Sequence, residues 1–267
     1  LTTHGQNIHA IEIDGTFDDC QTLVKAAFLD SELSQRFRLT SANSINIARL
    51  IPQTFYYFNA YAELKRQGKS QIVFSVPSGN FGNMAAGLLA WKMGLPVKKF
   101  LAATNINDTV PQFLNTGVFN PKASVQTFAN AMDVGNPSNW VRILDLFKND
   151  LDELKRMVEA YTFTDEDTSG AIREIYNTLG YIACPHTAIG WLAVRQWAID
   201  NLEEQQYSAV FLSTAHPCKF PEVLPEDIEK NMTVPEQVKD LDNEKSKFKS
   251  LGTDYAEFKN HLLKEYL

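Results

Sequence analysis

The sequence predicts an α/β fold, a mostly parallel sheet flanked by helices. Three observations carry this. Strand-like and helix-like patterns alternate along the chain with short connections. The run QIVFSV, residues 71–76, is apolar almost throughout, as a strand covered on both faces must be. Apolar runs end in small polar residues at 78–83, 104–105 and 213–214, and open parallel sheets bind ligands at such strand ends.

The elements follow in order. NIHAIEI, residues 7–13, alternates apolar and polar side chains and reads as a strand, with Asp14-Gly15 as its turn. Residues 18–29 place Leu23, Val24, Ala27 and Phe28 on one helical face. Residues 39–53 open with crowded Ser and Asn, and a long aromatic helix follows through Tyr56, Tyr57 and Phe58, with Pro52 as a kink or a restart. After the strand at 71–76, a helix over 84–93 is stopped by Gly94, and a strand over 97–103 follows. Residues 138–178 read as mainly helical and charged, with a cap-rich break at 164–168. A strongly apolar helix spans 186–202, a strand spans 209–212, and a charged helical tail runs from 243 to 267.

A chain of 267 residues with 44% hydrophobic content has material for a sizeable core. Its net charge of −7, with no long basic run, argues against nucleic acid or an anionic membrane as the main partner. A local basic pocket for a small anion stays open. The three cysteines, Cys20, Cys184 and Cys218, are scattered without CxxC spacing, so neither a zinc knuckle nor a thioredoxin-like site is expected, and no metal-ligating residue is assigned. Their odd number fits a reducing compartment, and the expected location is cytoplasmic.

FSVPSGNFGN, residues 74–83, has the chemistry of an anion cradle. Backbone N–H groups between a strand end and a helix N-terminus converge, and the helix dipole adds positive charge. Gly79 and Gly82 allow a tight turn and close ligand approach, while Ser78, Asn80 and Asn83 offer further donors. The loop is neither a Walker A motif nor GxGxxG. A phosphate or carboxylate is the natural guest; a glycine-rich turn that merely starts a helix is the plain alternative.

LSTAHPCKF, residues 212–220, places Ser213 and Thr214 at another strand end, where a hydroxyl suits a heterocyclic nitrogen. His216 alone reads better as a packed loop residue, and Lys219 as solvated. His186 near a helix start is as compatible with capping as with chemistry. SANSIN, residues 41–46, reads as an N-cap with spare hydroxyls or as a polar cleft lining. Arg49, one turn on, suits a bidentate clamp on an anion or an ordinary ion pair.

Taken together, IDGTFDDCQ, LTSANSINIARL, VPSGNFGN, AATNINDTVP, AMDVGNPSNW and STAHPCKF resemble threonine synthases, pyridoxal-phosphate enzymes of the tryptophan-synthase β-like group. The stretches lie in family order across residues 13–220. The resemblance implies fold type II and a carbon–oxygen lyase acting on phosphates. The reaction would convert O-phosphohomoserine and water to L-threonine and phosphate by β,γ-replacement, the last step of threonine biosynthesis. It implies that Gly79, Asn80, Phe81, Gly82 and Asn83 hold the phosphate of pyridoxal 5′-phosphate, and that Thr214, with Ser213 beside it, faces the pyridine nitrogen. Asn43, Ser44, Asn46 and Arg49 are candidates for lining the substrate cleft.

One departure stands out. The family's Schiff-base lysine, in a segment resembling FKDFG, has no counterpart here, so no catalytic residue is assigned. The chain opens on Leu1, and its first β-then-α unit has no visible partner upstream. It therefore reads as a fragment, inactive alone, with residues 1–45 a remnant of a smaller mobile domain, 46–267 the cofactor-binding domain with its helical tail, and the cofactor cleft between the two. Two other readings stay in competition: another lyase or replacement enzyme of the same fold, such as a cysteine-synthase-like protein, and a non-catalytic module that binds a phosphorylated metabolite.

Overall fold

The structure, a computed structural model, describes residues 7–44, 46–204, 206–239, 241 and 247–266. In chain order its elements begin with strand β1 (Ala10–Ile13) and helices α1 (Phe17–Leu29), α2 (Ser31–Arg36) and α3 (Ile51–Arg66). Next come β2 (Ile72–Pro77), α4 (Gly82–Lys92), β3 (Lys99–Thr104), α5 (Thr109–Thr116), α6 (Trp140–Leu146) and α7 (Leu151–Met157). The remainder is β4 (Val158–Thr162), α8 (Asp165–Leu179), α9 (Pro185–Asp200), β5 (Ser208–Phe211), α10 (Glu226–Glu229), α11 (Glu236–Lys239), β6 (Phe248–Leu251) and α12 (Tyr255–Glu265). The chain divides into two compact units, residues 1–41 with 234–267, and residues 42–233.

In the first unit β1 and β6 pair in parallel, from Ala10 opposite Phe248 to Ile13 opposite Leu251. A reciprocal capping box starts α1: Thr16 Oγ1 accepts from Asp19 N–H, and the Asp19 carboxylate accepts from Thr16 N–H. Asp30 caps α2 through the N–H groups of Glu32 and Leu33, and it also receives Lys259 Nζ at 2.8 Å and Tyr255 Oη at 2.9 Å. The Lys259 ammonium, then the cap amide of Leu33, hold the Asp30 carboxyl down at about 2. The tail therefore belongs with the N-terminal unit, not with the larger domain to which the sequence reading had assigned it. The reason is the β1–β6 pairing, which no local pattern announces. The first unit closes at 41 rather than 45, and within the tail a strand precedes the helix. The part of the expected helix over 243–246 lies outside the described residues.

The second unit holds a sheet in the order β4-β3-β2-β5, with every neighbouring pair parallel. Every residue of β2 is buried. Alternation sends its side chains to opposite faces. Ile72, Phe74, Val76, Phe100 and Ala102 join α3, α4 and α6 in one core cluster. Val73, Leu101 and Ala103 join Ile189, Ala193 and Trp197 of α9 in another. The predicted α/β class and parallel sheet are present, with helices on both faces. Pro52 sits in the first turn of α3, where its missing N–H costs nothing, so it marks a restart. Gly94 takes φ +101° after α4, as the expected stop requires.

A second strand besides β6 was not foreseen. VEAYT forms β4 inside the stretch expected to be helical. It is an edge strand, and its polar Glu159 pairs with Lys99 Nζ at 2.8 Å on the neighbouring strand, so it lacks the apolar run that announces a buried strand. The cap-rich break after it is a full capping box, Thr164 with Asp167, at the start of α8.

Because β2 and β5 are parallel neighbours, their C-terminal ends lie side by side. The loops 78–83 and 212–216 therefore emerge at the same edge.

Candidate functional site

At that edge lies a cavity of about 920 Å³, lined entirely by residues of the 42–233 unit. Gly79, Asn80, Phe81, Gly82 and Asn83 line it, opposite Ser213 and Thr214. Asn43, Ser44 and Arg49 line it too. Asn46 does not: its Oδ1 accepts from Ala48 N–H at 3.0 Å and caps the short turn Ile47–Arg49. The capping reading of SANSIN holds for that one side chain. Among the described residues, Arg49 and Lys219 are the cationic lining residues and no carboxylate lines the cavity.

The loop is an amide cradle. Ser78 N–H bonds Ala103 O at 2.9 Å, tying the loop to β3, and Ala85 N–H begins the helical ladder on Phe81 O. Between them, among the described residues, the N–H groups of Gly79, Asn80, Phe81, Gly82 and Asn83 have no acceptor. Five unsatisfied donors at the N-terminus of an eleven-residue helix favour an anion.

The side chains do different work from that expected. Asn83 Nδ2 donates to Pro77 O at 2.8 Å, and its Oδ1 accepts from Ser78 Oγ and Met84 N–H. Asn80 Oδ1 accepts from Ser138 N–H at 2.6 Å and Ser138 Oγ at 2.9 Å, while its Nδ2 reaches Ser44 Oγ at 3.4 Å. These amides fasten the loop, and the main chain is left to face a guest. Nor do the glycines take the left-handed turn: Phe81 does, at φ +60°. Gly79 is required by a neighbour instead. A Cβ there would stand 2.5 Å from the Cα of Met132.

The loop rests on an aromatic floor. Tyr57 of α3 is wholly buried and donates its hydroxyl to Asn83 O at 2.6 Å; burial raises its pKa far above the ordinary phenol. Phe81 packs edge-on against Trp140, ring centroids 5.4 Å apart.

At the other end, Ser213 Oγ is engaged with Tyr181 Oη at 3.0 Å. The Thr214 hydroxyl has no partner among the described residues. Of the two, Thr214 is the one open to a heterocyclic nitrogen. His216 is exposed, not packed as expected, and its Nδ1 accepts from Cys218 N–H as a local cap. Lys219 is exposed, with Nζ 5.8 Å from the Phe220 ring centroid. His186 neither caps its helix nor faces solvent. It is 4% exposed, and its Nε2 accepts from Ala131 N–H at 3.2 Å.

Burial, then the nearby Lys219 charge, lower the His186 pKa from 6.5 to about 4. An unfolded chain takes up this proton near pH 6.5, and the folded one only near pH 4. Stability is therefore expected to fall as pH drops through that window, by a total on the order of 3 kcal/mol. Urea midpoints at several pH values check this, with His186→Gln as the non-titrating control. Equal slopes for the two proteins would be the contrary result.

The residues that sequence reasoning missed are Tyr57, Met132, Ser138, Asn139 and Tyr181. AMDVGNPSNW carried a signal for the middle three, but only as a matching motif without a role.

A parallel sheet covered on both faces, with unsatisfied amides and a hydroxyl at adjacent strand ends, is the α/β arrangement that receives an anionic ligand. The family described as pyridoxal-phosphate dependent enzyme matches residues 1–214, and the chain belongs to that family. Within it, the likeness is to threonine synthases. The family described as threonine synthase, C-terminal, matches residues 187–262. The threonine synthase of Serratia marcescens is 52% identical over 220 residues, 82% of this chain and 50% of that protein. The crystal structure of the Escherichia coli threonine synthase superposes with TM-score 0.88 at 44% identity, covering 98% of this chain and 60% of that one. A threonine synthase from Brucella melitensis, solved with pyridoxal phosphate bound, gives TM-score 0.82 at 31% identity over 96% of this chain and 59% of that one. The chain thus spans about half the length of the curated relatives it matches. Among the described residues, no helix is long and apolar enough to cross a membrane.

Proposed function

We propose that this chain is the cofactor-phosphate half of a threonine synthase, which converts O-phosphohomoserine and water to L-threonine and phosphate. The five free amides of residues 79–83 carry the reading. They suit a phosphate that is held rather than transferred. Thr214 would accept or donate a hydrogen bond at the pyridine nitrogen. Bound there, the cofactor supplies an electron sink for carbanions formed on the amino-acid substrate. A neutral hydroxyl partner keeps that sink milder than a carboxylate would.

The reaction breaks the bond from Cγ to the phosphate oxygen, places the water hydroxyl on Cβ and leaves Cγ as a methyl group. Arg49 and Lys219, in a cavity with no carboxylate among its described lining residues, would receive the anionic ends of such a substrate. Asn43 would contribute a polar amide to the same wall, and Ser44 fastens that wall to the cradle through Asn139 Nδ2 at 2.8 Å. The covalent lysine is assigned to no residue of this chain. The 267-residue chain is expected to bind the cofactor weakly and without turnover. Residues 7–41 with the C-terminal tail would belong to a smaller domain that moves during the cycle. A cytoplasmic setting is supported by three free thiols.

Thermal unfolding tests the cradle. Pyridoxal 5′-phosphate and inorganic phosphate should each raise the transition in proportion to occupancy, and pyridoxal should not. Asn80→Ala, which unfastens the loop from Ser138, should reduce both shifts. Equal stabilisation by pyridoxal and its phosphate would count against the cradle. Release of phosphate and threonine from O-phosphohomoserine by the whole protein tests the reaction. Turnover of a different amino acid only would point to another enzyme of the fold, and phosphate binding without the internal cofactor colour to a binding module.

A further inference from the structure

AMDVGNPSNW is one of the matching motifs to which the functional reading gives no task. The stretch that holds most of it, residues 129–139, lies against the cradle and is fastened at Ala129, Ala131, Asp133, Gly135, Ser138 and Asn139. Asn105 Nδ2 donates to Ala129 O at 3.4 Å and to the Asp133 carboxylate at 2.8 Å, and Thr127 donates to the same carboxylate through Oγ1 at 2.7 Å and N–H at 3.0 Å. Ala131 N–H donates to His186 Nε2 at 3.2 Å. Ser138 donates twice to Asn80 Oδ1. Asn139, 1% exposed, donates through Nδ2 to Asn80 O at 2.9 Å and to Ser44 Oγ at 2.8 Å.

Between these anchors the Met132 main chain lies where a side chain on Gly79 would be. The segment is therefore in direct contact with the first amide-bearing turn of the cradle. His186 fixes the residue just before Met132. Since Nε2 accepts, the ring proton is on Nδ1, and Nδ1 is buried without a partner among the described residues. A buried unmatched N–H is costly, and an apolar residue in this core position would avoid it. What histidine offers in return is a rigid acceptor for Ala131 N–H.

We propose that residues 129–139 are a brace that sets the phosphate affinity of the cradle, with His186 a positioning residue that holds its middle through Ala131. This rests on the cradle reading above. His186 is not placed as a proton carrier, because its one lone pair is already committed to Ala131 N–H.

The test is titration with inorganic phosphate, followed by calorimetry, alongside the thermal transition measured without phosphate. His186→Leu removes the acceptor; His186→Gln keeps one. Phosphate affinity should fall on the order of tenfold in His186→Leu, the worth of one hydrogen bond, and return to within about threefold of wild type in His186→Gln. A lowered transition with unchanged phosphate affinity would mean a purely structural histidine and would overturn the proposal. So would equal loss in both variants. Should His186→Leu fail to fold, Asn139→Ser probes the far anchor: tenfold weaker phosphate supports the brace, and wild-type affinity overturns it. If the wild-type protein itself binds neither phosphate nor pyridoxal 5′-phosphate, the cradle reading falls, and the brace with it.

Discussion

Gly79→Ala is expected to weaken binding of pyridoxal 5′-phosphate and inorganic phosphate on the order of 100-fold, equivalent to about 2.7 kcal/mol. The added methyl would lie 2.5 Å from Met132 Cα and 3.0 Å from its carbonyl carbon and oxygen. These are main-chain atoms, so no side-chain rotation relieves the overlap. Either the brace moves or the turn does, and the turn carries the first of the five amides. Overpacking of this kind also costs about 1–3 kcal/mol of stability. Gly82→Ala is the informative partner. Its methyl would meet Ser44 Cβ at 3.2 Å, a side-chain neighbour, and position 82 is helical, where alanine is favoured. Calorimetric titration should therefore rank the losses Gly79→Ala first and Gly82→Ala well behind. The reverse order would mean that ligand crowding, not the brace, dictates these glycines.

That ranking illustrates what the sequence makes legible. SGNFGN announces an amide cradle, because strand, small residues and helix are contiguous and their physics is local. QIVFSV announces a buried parallel strand for the same reason. The origin of Gly79 is not local: it is set by Met132, fifty-three positions away along the chain. Asparagines at 80 and 83 look like ligand donors until their partners Ser138, Pro77 and Ser78 are known. The left-handed residue looks as if it should be a glycine, yet it is Phe81, held by its packing on Trp140. β4 hid among charges because an edge strand carries little apolar signal. β6 hid because its partner is at the other end of the chain. Asn46 fell outside the cavity because its side chain serves the turn it begins.

Trp140→Ala is expected to be the most destabilising single substitution considered, at about 3–5 kcal/mol. The indole is 0% exposed and packs edge-on against Phe81 at 5.4 Å and Phe113 at 5.7 Å. Aromatic pairs of this geometry add about 0.5–1.5 kcal/mol beyond area burial. Its Nε1 has no hydrogen-bond partner among the described residues, so it contributes packing and carries a desolvation cost. Trp140→Phe keeps a ring against Phe81 and removes that unmatched N–H, which costs about 1–3 kcal/mol to bury. It should therefore be much milder than Trp140→Ala, despite the lost volume. The consequence for binding follows from Phe81. A non-glycine residue at φ +60° persists only where its surroundings enforce it. Without the indole beneath it, Phe81 can relax, and two amides of the cradle, its own and that of Gly82, turn with it. Urea unfolding and phosphate titration of both variants check the two effects together. Trp140→Ala should lose stability and affinity, while Trp140→Phe should keep most of both. Loss of stability in Trp140→Ala with wild-type phosphate affinity would separate the aromatic floor from the cradle it is argued to support.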